Sequence, residues 1–122
     1  MSMLALAHVG DAVYELLTRS MLCQEGSFAV ATLHKKTVQL VRAEAQAQAA
    51  SALADVLAPE EYAVYKRGRN TRVNSLPKHA DPGQYHAATG LEALFGWLYV
   101  QGNIDRINQL FALIMEKRNN AT

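Results

Sequence analysis

Apolar residues recur every three to four positions along most of the chain, which is the spacing of amphipathic helices. The first such stretch runs from about Leu4 to Cys23, and its predicted inner stripe is Leu6, Val9, Val13, Leu16 and Leu17. β-Branched residues are scattered, and no alternating run predicts a strand. The pattern therefore predicts an all-α protein.

The middle of the chain predicts three more helices. The helical pattern from about Thr32 to Leu57 should break near Val41-Arg42, because one unbroken helix of that length is unusual in so short a chain. Pro59 suits the first turn of a helix that ends near Gly68. These helices lead into a less regular region.

The segment from Asn70 to Gln84 contains two prolines and a glycine and predicts the longest loop, where contacts with a ligand concentrate. The helical pattern returns at about Tyr85 and stops at Gly102. Asn103 is then predicted to cap the last helix.

The composition narrows the classes of protein that fit. A chain of 122 residues, half of them apolar, suffices for one domain, which we take to span residues 1–122. The only cysteine, Cys23, excludes an internal disulfide and, without a signal-peptide pattern, indicates a reducing cytoplasm. No apolar run approaches the ~18 residues of a membrane helix. The formal charge of +1 gives no overall attraction to a polyanion.

Two acidic residues interrupt otherwise apolar helices, each close to a glycine. Gly10 precedes Asp11, and Glu92 lies between Gly90 and Gly96. A carboxylate beside a packed stripe is costly unless it is paired, solvated or bound to a metal. If the helices cross at Gly10 and Gly96, the two acids converge on one hard cation such as Mg²⁺. The alternative is that each acid is partly exposed and paired with a lysine or arginine.

A basic segment precedes the second acid. Between Tyr62 and Ala80 there are five lysines or arginines and no acid. The predicted phosphate contacts of this segment are Lys66, Arg67, Arg69, Asn70 and Arg72, and a smaller basic point consists of His34, Lys35 and Lys36. Because few aromatic residues are interleaved, a duplex held by its backbone fits better than a stacked single strand. A segment that only aids solubility is the alternative.

Four motifs, taken together, resemble those of ribonuclease III domains. The stretch from Leu4 to Glu15, with a Gly-Asp pair after apolar residues, resembles the signature helix of that family. The stretch from Leu91 to Tyr99, which contains Glu-Ala-Leu-Phe-Gly, resembles its second motif. Segments 66–70 and 33–36 resemble elements of the Mini-III subgroup, which lacks a separate double-stranded-RNA-binding domain. The resemblance covers nearly the whole chain.

This resemblance implies the all-helical ribonuclease III endonuclease-domain fold, acting as a homodimer. Asp11 and Glu92 would match the catalytic, metal-binding pair of the family, with Mg²⁺ as cofactor. The implied reaction is hydrolysis of double-stranded RNA to 5′-phosphate and 3′-hydroxyl ends. The implied substrate is the 23S rRNA precursor, trimmed at both ends during ribosome biogenesis. Whether a ribosomal protein presents this substrate stays open.

Two positions depart from full-length ribonuclease III domains. Ala7 stands where they have glutamate, four residues before Asp11, and Thr89 stands where they have aspartate, three residues before Glu92. The metal shell is therefore thinner, which puts a tightly held second Mg²⁺ in doubt, and Glu15 or water would have to fill part of the gap. Two other readings stay open: a non-catalytic RNA-binding scaffold of the same fold, and a helical dimerisation module without RNA affinity.

Overall fold

The computed structural model describes residues 1–73 and 75–120, and within these ranges every regular element is a helix. The predicted all-α fold is thereby confirmed. In chain order the helices are α1 (Met3–Glu25), α2 (Val30–Val41), α3 (Ala43–Leu53), α4 (Pro59–Arg69), α5 (Pro82–Val100) and α6 (Ile104–Asn120). The predicted loop includes Asn74, which lies outside the described residues.

Three predicted helix boundaries are confirmed. Arg42 adopts an extended conformation (φ −64°, ψ 158°) between α2 and α3, so the long helical stretch does break there. Pro59 begins α4, where its missing N–H costs nothing. The side chain of Asn103 accepts a hydrogen bond from the backbone N–H of Arg106 at 3.4 Å, as expected of a helix cap.

Two predictions about the helices were wrong. Helix α5 begins at Pro82, about one turn before Tyr85, because the Asp81 side chain caps it by accepting a hydrogen bond from the backbone N–H of Gln84 at 3.1 Å. The loop is correspondingly shorter than predicted. Leu16 does not belong to the inner stripe of α1, since it is 65% exposed. The buried face of α1 is instead turned towards Tyr14, which is 1% exposed.

Helix α5 lies at the centre of the molecule, with α1, α3 and α4 packed around it. Its side chains Leu91, Leu94 and Phe95 are fully buried. The Tyr14 ring of α1 meets Phe95 edge-on at a centroid distance of 5.3 Å and meets Phe111 of α6 at 5.5 Å. Such edge-to-face pairs add directional packing to the burial of apolar area.

Polar contacts hold both ends of α6 against the other helices. Near its start, Arg106 pairs with Glu61 of α4 at 2.7 Å and donates a hydrogen bond to the Val56 carbonyl at 3.0 Å. The Arg106 guanidinium holds the pKa of the Glu61 carboxyl below its usual range. Near the end of α6, Lys117 pairs with Asp55 at 3.0 Å. These contacts tie α6 to the α3 and α4 region.

Glycines let two pairs of helices approach backbone to backbone. A Cβ atom on Gly10 of α1 would overlap the Glu92 carbonyl of α5. A Cβ atom on Gly96 of α5 would overlap the Leu6 carbonyl of α1. Helix α4 approaches α5 in the same way, because a Cβ atom on Gly90 of α5 would lie 2.7 Å from the Tyr65 carbonyl of α4. The predicted crossing of the first and fifth helices at Gly10 and Gly96 is confirmed.

Within the described ranges, no helix combines the length and the apolar character that crossing a bilayer requires.

The substitution Gly10→Ala tests the contact between α1 and α5. Because the new methyl group meets backbone that cannot rotate away, we expect the free energy of unfolding to fall by about 3 kcal/mol, the upper end of the usual range for overpacked cores. Urea denaturation followed by circular dichroism measures this loss. The matched control is Gly26→Ala, where the added methyl group would make ordinary contact with Phe28 at 3.6 Å. Equal stability of the two variants would contradict the close crossing.

Candidate active site

A cleft of about 250 Å³ lies where α1, α3 and α5 meet. Five of its lining residues carry polar side-chain atoms, and they are Asp11, Gln46, Tyr85, Thr89 and Glu92. The remaining lining residues are small or apolar, namely Val41, Ala43 and Ala88. The cleft thus contains two carboxylates from different helices. It has room for an ion and several waters, since one water molecule occupies about 30 Å³ in the liquid.

The glycine crossing brings the two carboxylates together. Gly10 contacts the Glu92 backbone, so Asp11, the next residue along α1, lies beside Glu92. Both side chains line the same cleft, and the charge of Asp11 contributes to the raised pKa of Glu92. The structure therefore places both predicted metal ligands at one cleft, although they are 81 positions apart in sequence (92 minus 11).

Neither acid is paired with a cation. The four ion pairs among residues 1–73 and 75–120 involve Glu15, Glu44, Asp55 and Glu61. Asp11 is exposed and Glu92 is partly buried, as the alternative expected, but the pairing with lysine or arginine that it also expected is not found in the described part of the chain. Glu15 is held by Arg19 at 2.7 Å and does not line the cleft, so it does not replace a missing ligand.

The environment of Glu92 disfavours its charged form. Burial, followed by the negative charge of Asp11, raises the pKa of Glu92 to about 8. The Gln46 side chain opposes this shift by donating a hydrogen bond from Nε2 to Glu92 Oε2 at 3.4 Å. A divalent cation in the cleft would reverse the balance, because its charge outweighs the repulsion between the two carboxylates.

The residues present fit a hard divalent cation. Carboxylate oxygens suit Mg²⁺, which keeps several of its waters and takes only one or two carboxylates in many phosphate-handling sites. Within the described ranges no group of three or more histidine, cysteine, aspartate or glutamate side chains could hold a metal. A site with two carboxylates and remaining water ligands matches Mg²⁺ better than a metal that needs an all-protein cage.

The two departures from the full-length family pattern lie in different surroundings. Thr89 lines the cleft, but its hydroxyl group donates a hydrogen bond to the Tyr85 carbonyl at 3.0 Å. Ala7 does not line the cleft and is buried against Leu6 and Ala93. The cleft therefore gains no additional acid at either position.

The basic segment is anchored next to the cleft. Gly68 packs against Gly90 and Ala93, which flank the part of α5 that contains Glu92. Lys66, Arg67, Asn70 and Arg72 are exposed around this anchor. Arg69 is partly buried, with its guanidinium 5.6 Å from the centre of the Tyr65 ring, and its Nε donates to Asn70 at 3.4 Å. Four of the five predicted phosphate contacts are thus exposed, on a segment that packs against the helix that carries Glu92.

The smaller basic point lies apart from the cleft, on α2. His34 and Lys35 are exposed, and the Lys36 ammonium lies over the Phe28 ring at 5.0 Å from its centre. None of the three lines the cleft. Their predicted contact with RNA stays a prediction.

Gln46 is a site residue that the sequence analysis missed. It is a polar side chain at 2% exposure on an alanine-rich helix, and it lines the cleft opposite Glu92. The available signal was its spacing, since Gln46 lies on the same buried face of α3 as Ala49, Ala50 and Leu53. A glutamine at a core position of an amphipathic helix is costly unless it is hydrogen-bonded.

Residues 4–103 match the family model of the ribonuclease III domain. The chain therefore belongs to the ribonuclease III family. It is an endoribonuclease that acts on double-stranded RNA. It is 40% identical over 116 residues to a Mini-ribonuclease 3 of Thermoanaerobacter sp. (strain X514). The aligned region covers 95% of this chain and 82% of that relative. A Mini-ribonuclease 3 of Symbiobacterium thermophilum is 41% identical over 107 residues, covering 88% of this chain and 82% of the relative.

The fold agrees with a solved relative. A crystal structure of a Fusobacterium nucleatum protein superposes with a TM-score of 0.86 at 28% identity and covers 96% of this chain and 93% of that one. The arrangement of helices around the cleft is therefore that of a known structure.

Proposed function

We propose that this enzyme hydrolyses phosphodiester bonds of double-stranded RNA with Mg²⁺ held by Asp11 and Glu92. The observation that carries the proposal is the convergence of these two unpaired carboxylates in one cleft, with the basic segment packed against the helix that carries Glu92. The chemistry that Mg²⁺ supplies in such sites is activation of water as a nucleophile and neutralisation of charge that develops on the phosphate. The expected products carry 5′-phosphate and 3′-hydroxyl ends.

The proposed biological substrate is the 23S rRNA precursor, cut at both ends during ribosome biogenesis. The similarity to proteins named Mini-ribonuclease 3 supports this assignment. The exposed cations of the basic segment supply contacts to the backbone of an A-form duplex, which proteins recognise mainly by shape and phosphate position. Choice of the cleavage site then depends on the shape of the RNA and on any ribosomal protein bound to it.

The first test is cleavage of a labelled 23S precursor stem by the wild type and by Asp11→Asn, with Mg²⁺ or with EDTA. Loss of an outer-shell partner alone lowers metal affinity or activity by about 10–100-fold in many metal sites. Loss of a ligand should therefore slow cleavage by at least about 100-fold. Asp105→Asn, which removes an exposed acid at the start of α6, should cleave like the wild type.

Binding measured in Ca²⁺, which often supports binding without cleavage, separates the remaining possibilities. Asp11→Asn should still bind the duplex. A wild type that binds but does not cut in Mg²⁺ would favour the non-catalytic scaffold, for which the loss of acids at Ala7 and Thr89 supplies a reason. If the wild type neither binds nor cuts the duplex, the result would favour the helical dimerisation module without RNA affinity.

The role of the basic segment can be tested with the double substitution Arg67→Ala/Arg72→Ala. Both side chains are exposed, whereas Arg69 also contacts Tyr65 and would confound the result. We expect weaker duplex binding and a plot of log K against log salt that is shallower by about 2, roughly one for each lost phosphate contact. Fluorescence anisotropy across a salt series measures the slope. Arg19→Ala/Arg118→Ala removes the same charge elsewhere, and an identical slope in both double variants would exclude the segment from the interface.

We also propose that two copies of the chain pair through the exposed face of α1. Leu4, His8, Ala12 and Leu16 follow one another at four-residue spacing, and all four are exposed, with Leu4 at 43% and Leu16 at 65%. A largely apolar stripe left exposed on a helix is typical of a protein interface. Asp11 lies on the same face as Leu4, seven residues earlier, so this interface would border the active site.

Light scattering after size-exclusion chromatography tests this pairing. The wild type should have the mass of a dimer, and Leu16→Asp should shift it to a monomer, because a carboxylate in the paired face cannot be desolvated cheaply. Val30→Asp is the control, since Val30 is 82% exposed at the start of α2, away from the stripe. A monomeric wild type, or a dimeric Leu16→Asp, would contradict the proposed interface.

A further inference from the structure

The Gln46 amide is oriented by two acceptors. Its Nε2 donates to the Val41 carbonyl at 2.8 Å and to Glu92 Oε2 at 3.4 Å. The Val41 carbonyl can only accept, so the nitrogen end of the amide must face it. The position of the other end follows from this arrangement.

The oxygen end of Gln46 is buried and lacks a hydrogen-bond partner. Gln46 Oε1 is one of two such side-chain atoms within the described ranges. A buried acceptor without a donor is unusual in a folded protein and points to a bound water, an ion or a functional role. The Thr89 hydroxyl, which also lines the cleft, is not available as the donor because it already donates to the Tyr85 carbonyl.

Water bound in the cleft is the donor that remains, and a small rotation of the amide would have to expose Oε1, which has almost no accessible surface. Gln46 lines the same cleft as Asp11 and Glu92, which is polar and large enough for several waters. Waters that surround a divalent cation are polarised and donate strongly, and residues that hold such outer-shell contacts tune metal binding. A neutral amide can accept such a hydrogen bond without adding a third negative charge to the cleft.

We propose that Gln46 is a positioning residue of the metal site, which holds the Glu92 carboxylate through Nε2 and accepts a hydrogen bond from the hydration shell of the cation through Oε1. This inference rests on the proposed function, since it requires a divalent cation between Asp11 and Glu92. Gln46 acts through Glu92 and water and does not touch the reacting phosphate.

Metal affinity measured without RNA tests the inference. Isothermal titration of the protein with Mn²⁺, and then with Mg²⁺ in competition, gives the affinity of the wild type, Gln46→Met and Asp11→Asn. Gln46→Met keeps the length of the side chain but removes both hydrogen-bonding atoms. We expect it to bind about tenfold more weakly, within the usual range of about 10–100-fold for a lost outer-shell partner. The control is Gln48→Met on the exposed side of α3, which should bind like the wild type.

A second variant keeps the inference testable if Gln46→Met does not fold. Gln46→Glu retains an acceptor oxygen and adds a charge beside Glu92, so Mg²⁺ should raise its melting temperature more than it raises that of the wild type. A residue that serves only packing would change the melting temperature of the metal-free protein and leave the effect of Mg²⁺ unaltered.

The outcomes separate this inference from the proposed function. If the wild type binds metal, Asp11→Asn does not, and Gln46→Met binds within twofold of the wild type, the role of Gln46 is overturned while the metal site stands. An equal effect of Mg²⁺ on the melting of Gln46→Glu and the wild type would overturn it in the same way. If the wild type shows no binding that depends on Asp11, the proposed metal site fails, and the inference fails with it.

Discussion

The contact between the backbones of α1 and α5 is the constraint on which the rest of the structure depends. Gly10 and Gly96 leave no room for a Cβ atom, so the two helices touch along their main chains. Because main chain cannot rotate away as a side chain can, the separation of Asp11 and Glu92 is set by rigid elements. The same device at Gly68 fixes the basic segment against α5.

Charge is used in two different ways in this molecule. At both ends of α6, acids are paired with cations, and these contacts hold the fold together. In the cleft, two acids face each other without a cationic side chain, and burial raises the pKa of Glu92 to about 8. An arrangement that is unfavourable for the protein alone becomes favourable when a divalent cation is bound, which is a common property of catalytic sites.

The cleft also shows why a neutral residue can matter in an acidic site. A third carboxylate would add repulsion, whereas the Gln46 amide donates to one carboxylate and keeps an acceptor oxygen available. The family pattern of acids at positions 7 and 89 is replaced here by a buried alanine and by a threonine whose hydroxyl is already engaged. The described part of the cleft therefore relies on two carboxylates and one amide.

The sequence by itself determined the helical class, the break at Arg42, the helix start at Pro59, the cap at Asn103, and the two glycine-flanked acids, because these depend on periodicity and on local backbone chemistry. It misplaced Leu16, since the angle at which a helix faces its neighbours depends on packing that no local pattern records. The spacing of Gln46 places it on the buried face of α3 but does not indicate which residue it meets there. Only the tertiary structure decided that a glutamine from α3 meets a glutamate from α5, because residues 46 positions apart become neighbours only when the helices pack.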